Sequence, residues 1–543
     1  MPKTNISIRA KALRFESNRM SNMEESTSLN ADHPLRDETP TRSIDQFYEE
    51  ASNETASLPS TSRIQYYIIF LALGIANSGD SAEITNMNFI LSNDNFVLSI
   101  LNDDLATHGS VLAACVFAGM LIGGLLTGAY GDYAGRRSTL LLGLSLNSVS
   151  GIFSAFVPNF GSLCFLRFLA GLGIGAILSS LVTLATESSP PSKRGRNVSF
   201  VGAFFTLGTV YVAYLAYILF GKYDVSWRIF VGLCAMPSLI GTILVYLFVP
   251  ESARYLALRD QPENATVAAN QIANAMGYRG SMLRVEEVRY HHCSSPDSEK
   301  ITTKTFERRT IDAMKNIRKL YTKNIWTKTL TLQMIWICLS FGAGLSTWIN
   351  VVLKQIQVSN VYLNSLFYSL SSIPGNILAA FLIDRLGRKL LMATSMIFAS
   401  ISLFFFARVA IEITPDLAST AVIYACVFHA FVVIAWTSVN VITSESFPTE
   451  VRSTGLGVCA ATSRLVGIFV QYINGSLVDR PDLIILFSSL AMFIGSVFSI
   501  SLRDMSLRPL RDSIFFESDL GMNKTKKSSG IELPKYRAKV ELV

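Results

Sequence analysis

The chain has 543 residues, of which 50% are hydrophobic and only 16% are charged. Soluble domains are about 25% charged, so most of this chain is not suited to contact with water. The formal net charge of +7 does not indicate a nucleic-acid-binding protein. The basic residues are spread over separate connecting segments and form no single basic patch.

Long apolar stretches recur along the chain and predict twelve membrane-spanning segments. Each has about 20 residues, which is the length a helix needs to cross a bilayer. The stretches are continuous rather than alternating, which favours α-helices over barrel strands, so the predicted fold class is all-α. The predicted spans cover about residues 65–90, 109–130, 138–157, 162–185, 198–220, 228–249, 329–350, 361–383, 389–408, 418–443, 454–473 and 482–502.

The segments outside the spans predict the topology. Residues 1–63 are rich in Ser, Thr, Asn and Glu and lack the apolar core of a signal peptide, so a disordered arm is expected. Lys and Arg are concentrated in this arm, in the middle segment 251–328 and in the tail 504–543, whereas residues 91–108 contain neither. The positive-inside rule then places both termini and the middle segment in the cytosol.

The middle segment separates six spans in residues 64–250 from six spans in residues 329–503. Its last part carries apolar residues at helical spacing among several Lys and Arg residues, which predicts a basic amphipathic helix on the inner leaflet. A calmodulin-binding helix is the alternative interpretation. The apolar residues are Ile311, Met314, Ile317 and Leu320.

Cysteine and histidine residues give no sign of a metal site or a disulfide framework. Six of the seven cysteines fall inside predicted spans, and His291 and His292 lie in a polar segment without other ligands at suitable spacing. There is also no phosphate-binding loop or nucleophile elbow. The sequence therefore predicts neither a cofactor nor an enzymatic activity.

Two motifs occur twice and indicate an internal duplication. Asp132-Tyr-Ala-Gly-Arg-Arg137 follows the second span, and Asp384-Arg-Leu-Gly-Arg-Lys389 follows the eighth. Glu187 to Arg194 follows the fourth span, and Glu445 to Arg452 follows the tenth with the same Glu, Pro and Arg pattern. Both repeat about 250 residues further on and in the same order, so the spans form two related halves.

Over residues 63–503 these motifs resemble the major facilitator superfamily. The segment Pro250-Glu251-Ser-Ala-Arg254-Tyr255 is similar to the sugar-porter and organic-ion branch. Gly79-Asp80-Ser-Ala-Glu83 and Ser226-Trp227-Arg228 look most like the group related to synaptic vesicle protein 2, without that protein's large insertion between spans seven and eight. The resemblance implies a monomer whose two six-helix halves rock around a central solute site.

Three charged residues inside the spans are candidates for coupling transport to protons. Asp80 and Glu83 are three residues apart and share one face of span one, and Arg167 in span four is a basic partner. A charge at mid-membrane costs about 3 kcal/mol and usually faces a cavity or a partner. An Asp that alternates between an ion pair and a protonated state could couple proton and solute movement. A static pair that fixes span one against span four is the alternative.

The candidate solute-binding residues lie in the middle of other spans. Arg464 in span eleven needs a buried partner or a ligand, and by resemblance to the organic-ion branch it favours an anionic or zwitterionic solute. A tie to a carbonyl or an acid of another helix is the alternative. Polar and aromatic residues that can bond or stack with a solute, or serve only as packing, are Tyr211, Tyr214, Trp336, Asn350, Tyr368, Asn376, Trp436 and Asn440.

The repeated motifs are candidates for a cytosolic gate. The pseudo-two-fold relation would bring Glu187 to Arg452 and Glu445 to Arg194, closing the inner side in the outward-open state. Ties within each half are the alternative. The predicted gate residues are Asp132, Arg136, Glu187, Arg194, Glu251, Arg254, Asp384, Arg388, Glu445 and Arg452.

The sequence as a whole favours a secondary-active transporter of a small organic solute in the plasma membrane or an intracellular vesicle. An organic anion or zwitterion is the favoured solute, with protons as a possible coupling ion. The paired glutamines of sugar porters are missing, and only Gln333 remains in span seven. A non-transporting sensor or scaffold and a facilitative sugar or organic-cation carrier are the alternatives.

Overall fold

The protein is described by a computed structural model that covers residues 42–57, 59–293, 315, 317–322, 325–383, 385–411, 415–448 and 451–502. The all-α prediction is confirmed, because every regular element in these ranges is helical. Ten helices of the described residues are long and apolar enough to cross a bilayer. Two more, the first and the third, complete the twelve spans and carry more polar residues.

The twelve spans are labelled α1 to α12 and match the predicted segments to within a few residues. Their bounds are Ile64–Leu91 (α1), Ser110–Ala134 (α2), Arg136–Ser154 (α3), Phe160–Glu187 (α4), Arg194–Leu219 (α5), Trp227–Phe248 (α6), Trp326–Thr347 (α7), Val361–Leu382 (α8), Arg388–Ile411 (α9), Pro415–Ser446 (α10), Arg452–Ser476 (α11) and Pro481–Ser501 (α12). The side on which α1 begins is called the basic side, and the opposite side the far side.

Two spans are interrupted where a proline enters the sequence. α6 consists of Trp227–Cys234 and Met236–Phe248, and α8 consists of Val361–Leu370 and Ser372–Leu382. Pro237 and Pro374 lack the backbone N–H that would continue the hydrogen-bond ladder, so each helix restarts near its proline. α7 tightens into a 3₁₀ turn at Gly344–Thr347 and continues as a short helix, Ile349–Gln355.

The prediction of a disordered arm over residues 1–63 is wrong for its last part. Residues Ile44–Glu54 form a helix whose Ser43 and Gln46 make a complete capping box. The side chains of Phe47 and Tyr48 are fully buried. They pack among residues of α1, α3 to α6 and the helices Ala253–Leu258, Pro262–Ala275 and Val285–Cys293 of the middle segment. Burial of apolar side chains stabilises this N-terminal helix. A search of the sequence for membrane spans would not detect it.

The amphipathic helix predicted at the end of the middle segment lies mostly outside the described residues. Ile311 and Met314 are outside them, while Ile317 and Leu320 belong to a short helical stretch in which Leu320 is buried. Its position on a membrane surface therefore stays a prediction.

Glycines let α2 and α4 approach until their backbones touch. A Cβ atom added to Gly119 or Gly123 would lie 2.1–2.2 Å from a carbonyl oxygen of α4. A Cβ at Gly171 or Gly175 would lie 2.2–2.5 Å from a carbonyl oxygen of α2. Each pair is spaced four residues apart, the pattern that allows close helix packing in membranes. This contact fixes the position of α4, which carries Arg167.

The structure supports the duplication at the level of backbone conformation. Gly135 and Gly387 occupy the same place in the repeated motif after spans two and eight, and both have positive φ angles, +106° and +81°. Such angles are strained for residues with a side chain, so the turn requires glycine in both halves. At Gly135 a Cβ would also collide with the carboxylate of Glu251.

Each half has its own apolar core, and the described residues of a third core join the halves on the far side. One core is built entirely from residues 320–502, and another from residues 47–288. A third core, formed by the far-side ends of the first half, also contains Trp348, Val351 and Val478 of the second half. The halves therefore pack against each other at the far side.

Candidate solute site and gates

A buried ion pair connects α1 and α4. Arg167 is 0% exposed, and its Nη1 contacts the Oε1 of Glu83, which is 1% exposed. Asn86 donates to the other Glu83 oxygen at 3.0 Å and accepts from Arg167 at 3.4 Å. The proposed partnership of an acid in span one with Arg167 is therefore present geometrically, and the acid is Glu83 rather than Asp80.

Asp80 lies one turn away and has a different environment. It is 1% exposed, and the amide of Asn147 in α3 lies 3.5 Å from its Oδ1. Its Oδ2 has no hydrogen-bond partner among the described residues. Asp80 is thus a buried carboxyl group to which the described part of the chain provides no counter-charge.

Arg464 lies on the face of α11 that is directed at the first half. Gly475, Arg464 and Gly457 are separated by 11 and 7 residues, so they fall within about 20° on one face of the helix. At Gly475 this face touches Ala106 and Ser110 of the first half, whereas at Gly457 a Cβ would meet no atom within 4 Å. The face is therefore closed on the far side and open towards the basic side.

The guanidinium of Arg464 has no recorded hydrogen-bond or ion-pair partner within the described ranges. The residue is half-buried. The neighbouring position is fixed, because Ser340 of α7 donates to the carbonyl of Ser463 at 2.8 Å. Gln333 of α7 donates to Thr462 at 3.2 Å. Arg464 thus projects from a well-held segment of α11 at the middle of the bundle.

Two tryptophans of the second half lie next to each other. Trp336 of α7 and Trp436 of α10 meet edge to face with ring centroids 5.5 Å apart, and the Trp336 indole donates to Thr443 at 2.9 Å. Asn440 lies one turn from Trp436, is exposed, and bonds to the Trp436 carbonyl. Trp436 and Asn440 keep the accessibility that a solute contact requires, whereas Trp336 is buried and supports Trp436.

A histidine that sequence analysis did not single out belongs to the same face of α10. His429 precedes Trp436 by seven residues, which is two helical turns. Its ring stacks on Tyr368 of α8 with centroids 4.2 Å apart and planes inclined by 16°. The Tyr368 hydroxyl lies 2.8 Å from the Ser346 hydroxyl of α7. Tyr368 thus joins α7, α8 and α10, and the spacing of His429 from Trp436 was the available signal.

Three other candidate solute-binding residues lie on α5 and α8. Tyr211 donates its hydroxyl to the Leu233 carbonyl of α6 at 3.0 Å, so it ties α5 to α6. Tyr214 is exposed on α5. Asn376 of α8 donates to Thr206 of α5 and so connects the halves. None of them contacts the half-buried Arg464 in the described structure.

The interpretation of Asn350 as a solute-binding residue is not supported by its position. Asn350 is fully buried in the short helix after α7, where its backbone N–H donates to Asn88 of α1 at 3.0 Å and its side chain accepts from Ser365. It is part of the far-side junction between the halves. An ion pair between Lys354 and Asp94 closes the same junction.

On the basic side the N-terminal helix contributes an acid to two of the predicted gate arginines. Asp45 contacts Arg194 at 3.2 Å and also contacts Arg254. Glu49 of the same helix accepts from the backbone N–H of Ser192 at 3.1 Å. Hydrogen bonds from the Ser192 side chain and from its backbone stabilise the carboxylate and lower the pKa of Glu49. The N-terminal helix is thus attached to the turn between α4 and α5.

Another arginine secures the start of the N-terminal helix. Arg42 contacts Glu50 at 2.9 Å and Glu287 at 3.2 Å, and these two acids raise the pKa of the guanidinium against the opposing effect of burial. Sequence analysis missed Arg42 and Asp45 because residues 1–63 were treated as one disordered arm.

Contacts within one half also involve the gate residues Arg388, Glu445, Glu251 and Arg136. Arg388 contacts Glu445 at 3.3 Å, so Glu445 and Arg194 do not pair with each other here. Glu251 accepts from the backbone N–H groups of Arg137 and Ser252, and Arg136 lies over the Tyr255 ring. Glu187 and Arg452 stand at the basic-side ends of α4 and α11. Asp384 and the side chain of Asp132 lie outside the described residues.

The chain thus forms two duplicated helical halves that join on the far side, and the first half contains the buried charged residues Asp80, Glu83 and Arg167. The model of the family described as "Sugar (and other) transporter" matches residues 50–503. The chain belongs to this family. It is therefore a multi-pass membrane protein of the major facilitator class, and the suspected resemblance is confirmed.

Curated relatives include proteins of vesicles and of bacteria. The human synaptic vesicle glycoprotein 2C is 23% identical over 580 residues, covering 81% of this chain and 78% of the relative. The niacin transporter NiaP of Acinetobacter baylyi is 27% identical over 379 residues, covering 69% of this chain and 80% of the relative.

Solved structures confirm the fold. The inward-open conformation of the xylose transporter XylE from E. coli has a TM-score of 0.65 at 17% identity and covers 82% of this chain and 98% of that structure. A D-xylose-proton symporter structure has a TM-score of 0.63 at 18% identity, with 82% and 99% covered.

Proposed function

We propose that this family member is a secondary-active transporter of a small organic anion or zwitterion, driven by protons. The observation that carries the proposal is Arg464. It lies on the face of α11 that is directed at the other half and has no recorded partner among the described residues. If the protein were a scaffold that transports no solute, no ligand would compensate the charge of Arg464.

The positive charge of Arg464 is costly inside the membrane. An arginine at mid-membrane costs about 3 kcal/mol on insertion scales. A carboxylate that binds the guanidinium through two parallel hydrogen bonds offsets this cost and is recognised by its geometry as well as its charge. A neutral sugar or an organic cation offers no such compensation.

The relatives support an organic acid more than a sugar. The niacin transporter is named for a solute that is an aromatic carboxylic acid. The similarity to the xylose transporters concerns the fold. Gln333, the lone glutamine of α7, is engaged with Thr462 and Tyr321.

We assign the proton-coupling role to Asp80. Glu83 already has Arg167 as its counter-charge, so the Glu83–Arg167 pair serves to hold α1 against α4. Asp80 has only the Asn147 amide nearby, so the deprotonated carboxylate is uncompensated in this conformation. A proton taken up by Asp80 removes that cost and favours this conformation.

The conformation described here is proposed to be inward-facing. The positive-inside rule makes the basic side cytosolic. The contacts between Asn88 and Asn350 and between Asp94 and Lys354 then close the extracellular or luminal side. When the basic side closes instead, Arg194 would exchange Asp45 for Glu445.

Replacing Arg464 tests the proposed solute class. Arg464→Gln is expected to reduce uptake of labelled nicotinate or benzoate into proteoliposomes by about 100-fold, because a desolvated charge-assisted pair is worth about 2–5 kcal/mol. Arg464→Lys should retain part of the activity. Arg480→Gln, which removes an exposed far-side arginine paired with Asp482, is the matched control. Unchanged uptake in Arg464→Gln would refute the assignment.

Replacing Asp45 tests the proposed gate exchange. Asp45→Asn frees Arg194 for Glu445 and is expected to raise the outward-facing to inward-facing ratio about two- to five-fold, since partly exposed pairs contribute up to about 1 kcal/mol. Electron-spin distance measurements between labels on the basic-side ends of α4 and α10 report this ratio. Glu54→Gln at the exposed end of the same helix is the control. An unaltered distance distribution would contradict the exchange.

A further inference from the structure

The imidazole of His429 is held in one tautomer by its surroundings. Its Nδ1 lies 2.9 Å from the backbone carbonyl oxygen of Tyr368. A carbonyl oxygen only accepts hydrogen bonds, so Nδ1 must carry the proton and donate it. The hydroxyl of Ser371, 3.4 Å from Nδ1, already donates to the same carbonyl at 2.6 Å and therefore does not reverse this assignment.

The other ring nitrogen, Nε2, is consequently available as an acceptor. No hydrogen-bond partner of Nε2 is recorded in the described part of the chain. The described structure also shows no acid paired with His429, and a charged ring inside the membrane without one is costly, so the ring is neutral. A neutral ring protonated on Nδ1 has its lone pair on Nε2.

The position of His429 relates it to the solute path. Trp436 and Asn440 each lie within about 20° of His429 on one face of α10, because their separations of 7 and 11 residues from His429 amount to almost whole turns. Asn440 at the basic-side end of this face is exposed, while Trp436 and His429 are half-buried. The accessible face of α10 thus runs from the basic side up to His429.

The depth of His429 relative to Arg464 follows from the contacts of α7. Ser340 bonds to the residue next to Arg464, and Ser346 bonds to Tyr368, on which His429 stacks. Six residues of α7 correspond to about 9 Å along the helix axis. His429 therefore lies about 9 Å further towards the far side than the backbone of Arg464.

We infer that His429 is a solute-selecting residue that accepts a hydrogen bond from a donor group placed opposite the solute's carboxylate. The inference rests on the proposed function, because Arg464 is taken to bind the carboxylate. The substrate class becomes a compact acid with a hydroxyl, an amine or a protonated ring nitrogen at its other end. The solute is expected to be about as large as one aromatic ring. One hydrogen bond of about 3 Å would form at each of its two ends.

The experiment compares binding of labelled 4-hydroxybenzoate and benzoate to the purified full-length protein in lipid nanodiscs. The two probes differ only in the donor hydroxyl. The wild-type protein is expected to bind 4-hydroxybenzoate about 10-fold more tightly or better, since an acceptor left without its partner penalises the analogue that lacks the donor. His429→Leu should reduce this ratio to near one, because the variant has no acceptor that benzoate would leave unpaired. His429→Gln, which keeps an acceptor oxygen, should restore part of the ratio.

The outcomes separate this inference from the proposed function. A wild-type ratio near one, or an equal loss of both affinities in His429→Leu and His429→Gln, overturns the selecting role and leaves a structural one. If the selecting role of His429 is overturned but Arg464→Gln still abolishes binding of both probes, the proposed function stands. If the wild-type protein binds neither probe, the proposed function fails and the role of His429 fails with it. The wild-type ratio needs no variant, so misfolding of a variant cannot conceal the answer.

Discussion

Asp80→Asn is expected to abolish accumulation of solute against its gradient while solute exchange across the membrane continues. The amide has nearly the same shape as the protonated acid, so the packing against Asn147 is preserved. It cannot release a proton, however, and the variant is fixed in the state that the protonated carboxyl would have. Net proton-driven uptake needs the group to change state in every cycle, whereas exchange needs only the loaded carrier to reorient.

The measurement is uptake of labelled nicotinate into proteoliposomes with and without an inwardly directed proton gradient, together with exchange at equal solute concentrations. Wild-type uptake should depend on the gradient, and Asp80→Asn uptake should not. Asp482→Asn, which removes a carboxylate at the far-side start of α12, serves as the control. A variant at Asp80 that retains the full pH dependence of the wild-type protein would refute the coupling role.

Arg167→Met is expected to be the most destabilising single change described here. The guanidinium is 0% exposed and contacts Glu83 and Asn86, so its removal leaves the Glu83 carboxylate buried without a counter-charge. Breaking a buried pair from one side costs about 3–5 kcal/mol. Thermal unfolding of the purified protein in detergent should show a midpoint several degrees lower than that of the wild-type protein.

A second substitution distinguishes a structural pair from a coupling pair. Glu83→Gln combined with Arg167→Met removes both charges, so much of the lost stability should return, and a double-mutant cycle should give a large interaction energy. If the pair only holds α1 against α4, proton-driven uptake by the stable double variant should keep its pH dependence. A single Arg167→Met variant as stable as the wild-type protein would contradict the assigned pairing.

The architecture was predictable from sequence because lipid imposes severe constraints on the backbone. A spanning segment must satisfy its own hydrogen bonds, so about 20 apolar residues specify a helix without reference to its neighbours. α1 to α12 accordingly agree with the predicted spans. The duplication was visible because Gly135 and Gly387 are required by the same strained turn in both halves.

The N-terminal helix was not predictable by the same reasoning. Its stability comes from tertiary burial of Phe47 and Tyr48 and from ion pairs with residues far along the chain, such as Arg42 with Glu287. Composition alone cannot reveal such contacts, although the capping box formed by Ser43 and Gln46 was a local signal.

The charged residues of the site were predictable from the sequence, but the ion pairs that they form were not. Asp80, Glu83, Arg167 and Arg464 stand out because charges are costly in a membrane. Helix periodicity places Asp80 and Glu83 on one face, yet it cannot decide which of them Arg167 contacts. Asn350 has the polarity of a binding residue, and only its contact with Asn88 shows that it belongs to the junction between the halves.

The most direct test of the carrier mechanism is counterflow in proteoliposomes that contain only the purified protein. Vesicles preloaded with unlabelled nicotinate are diluted into labelled nicotinate, and entry of the label is followed over time. A protein that alternately exposes one solute site should show a transient accumulation of label, and Arg464→Gln should not. Absence of counterflow for nicotinate, for a sugar and for an organic cation alike would contradict the carrier mechanism and favour a scaffold.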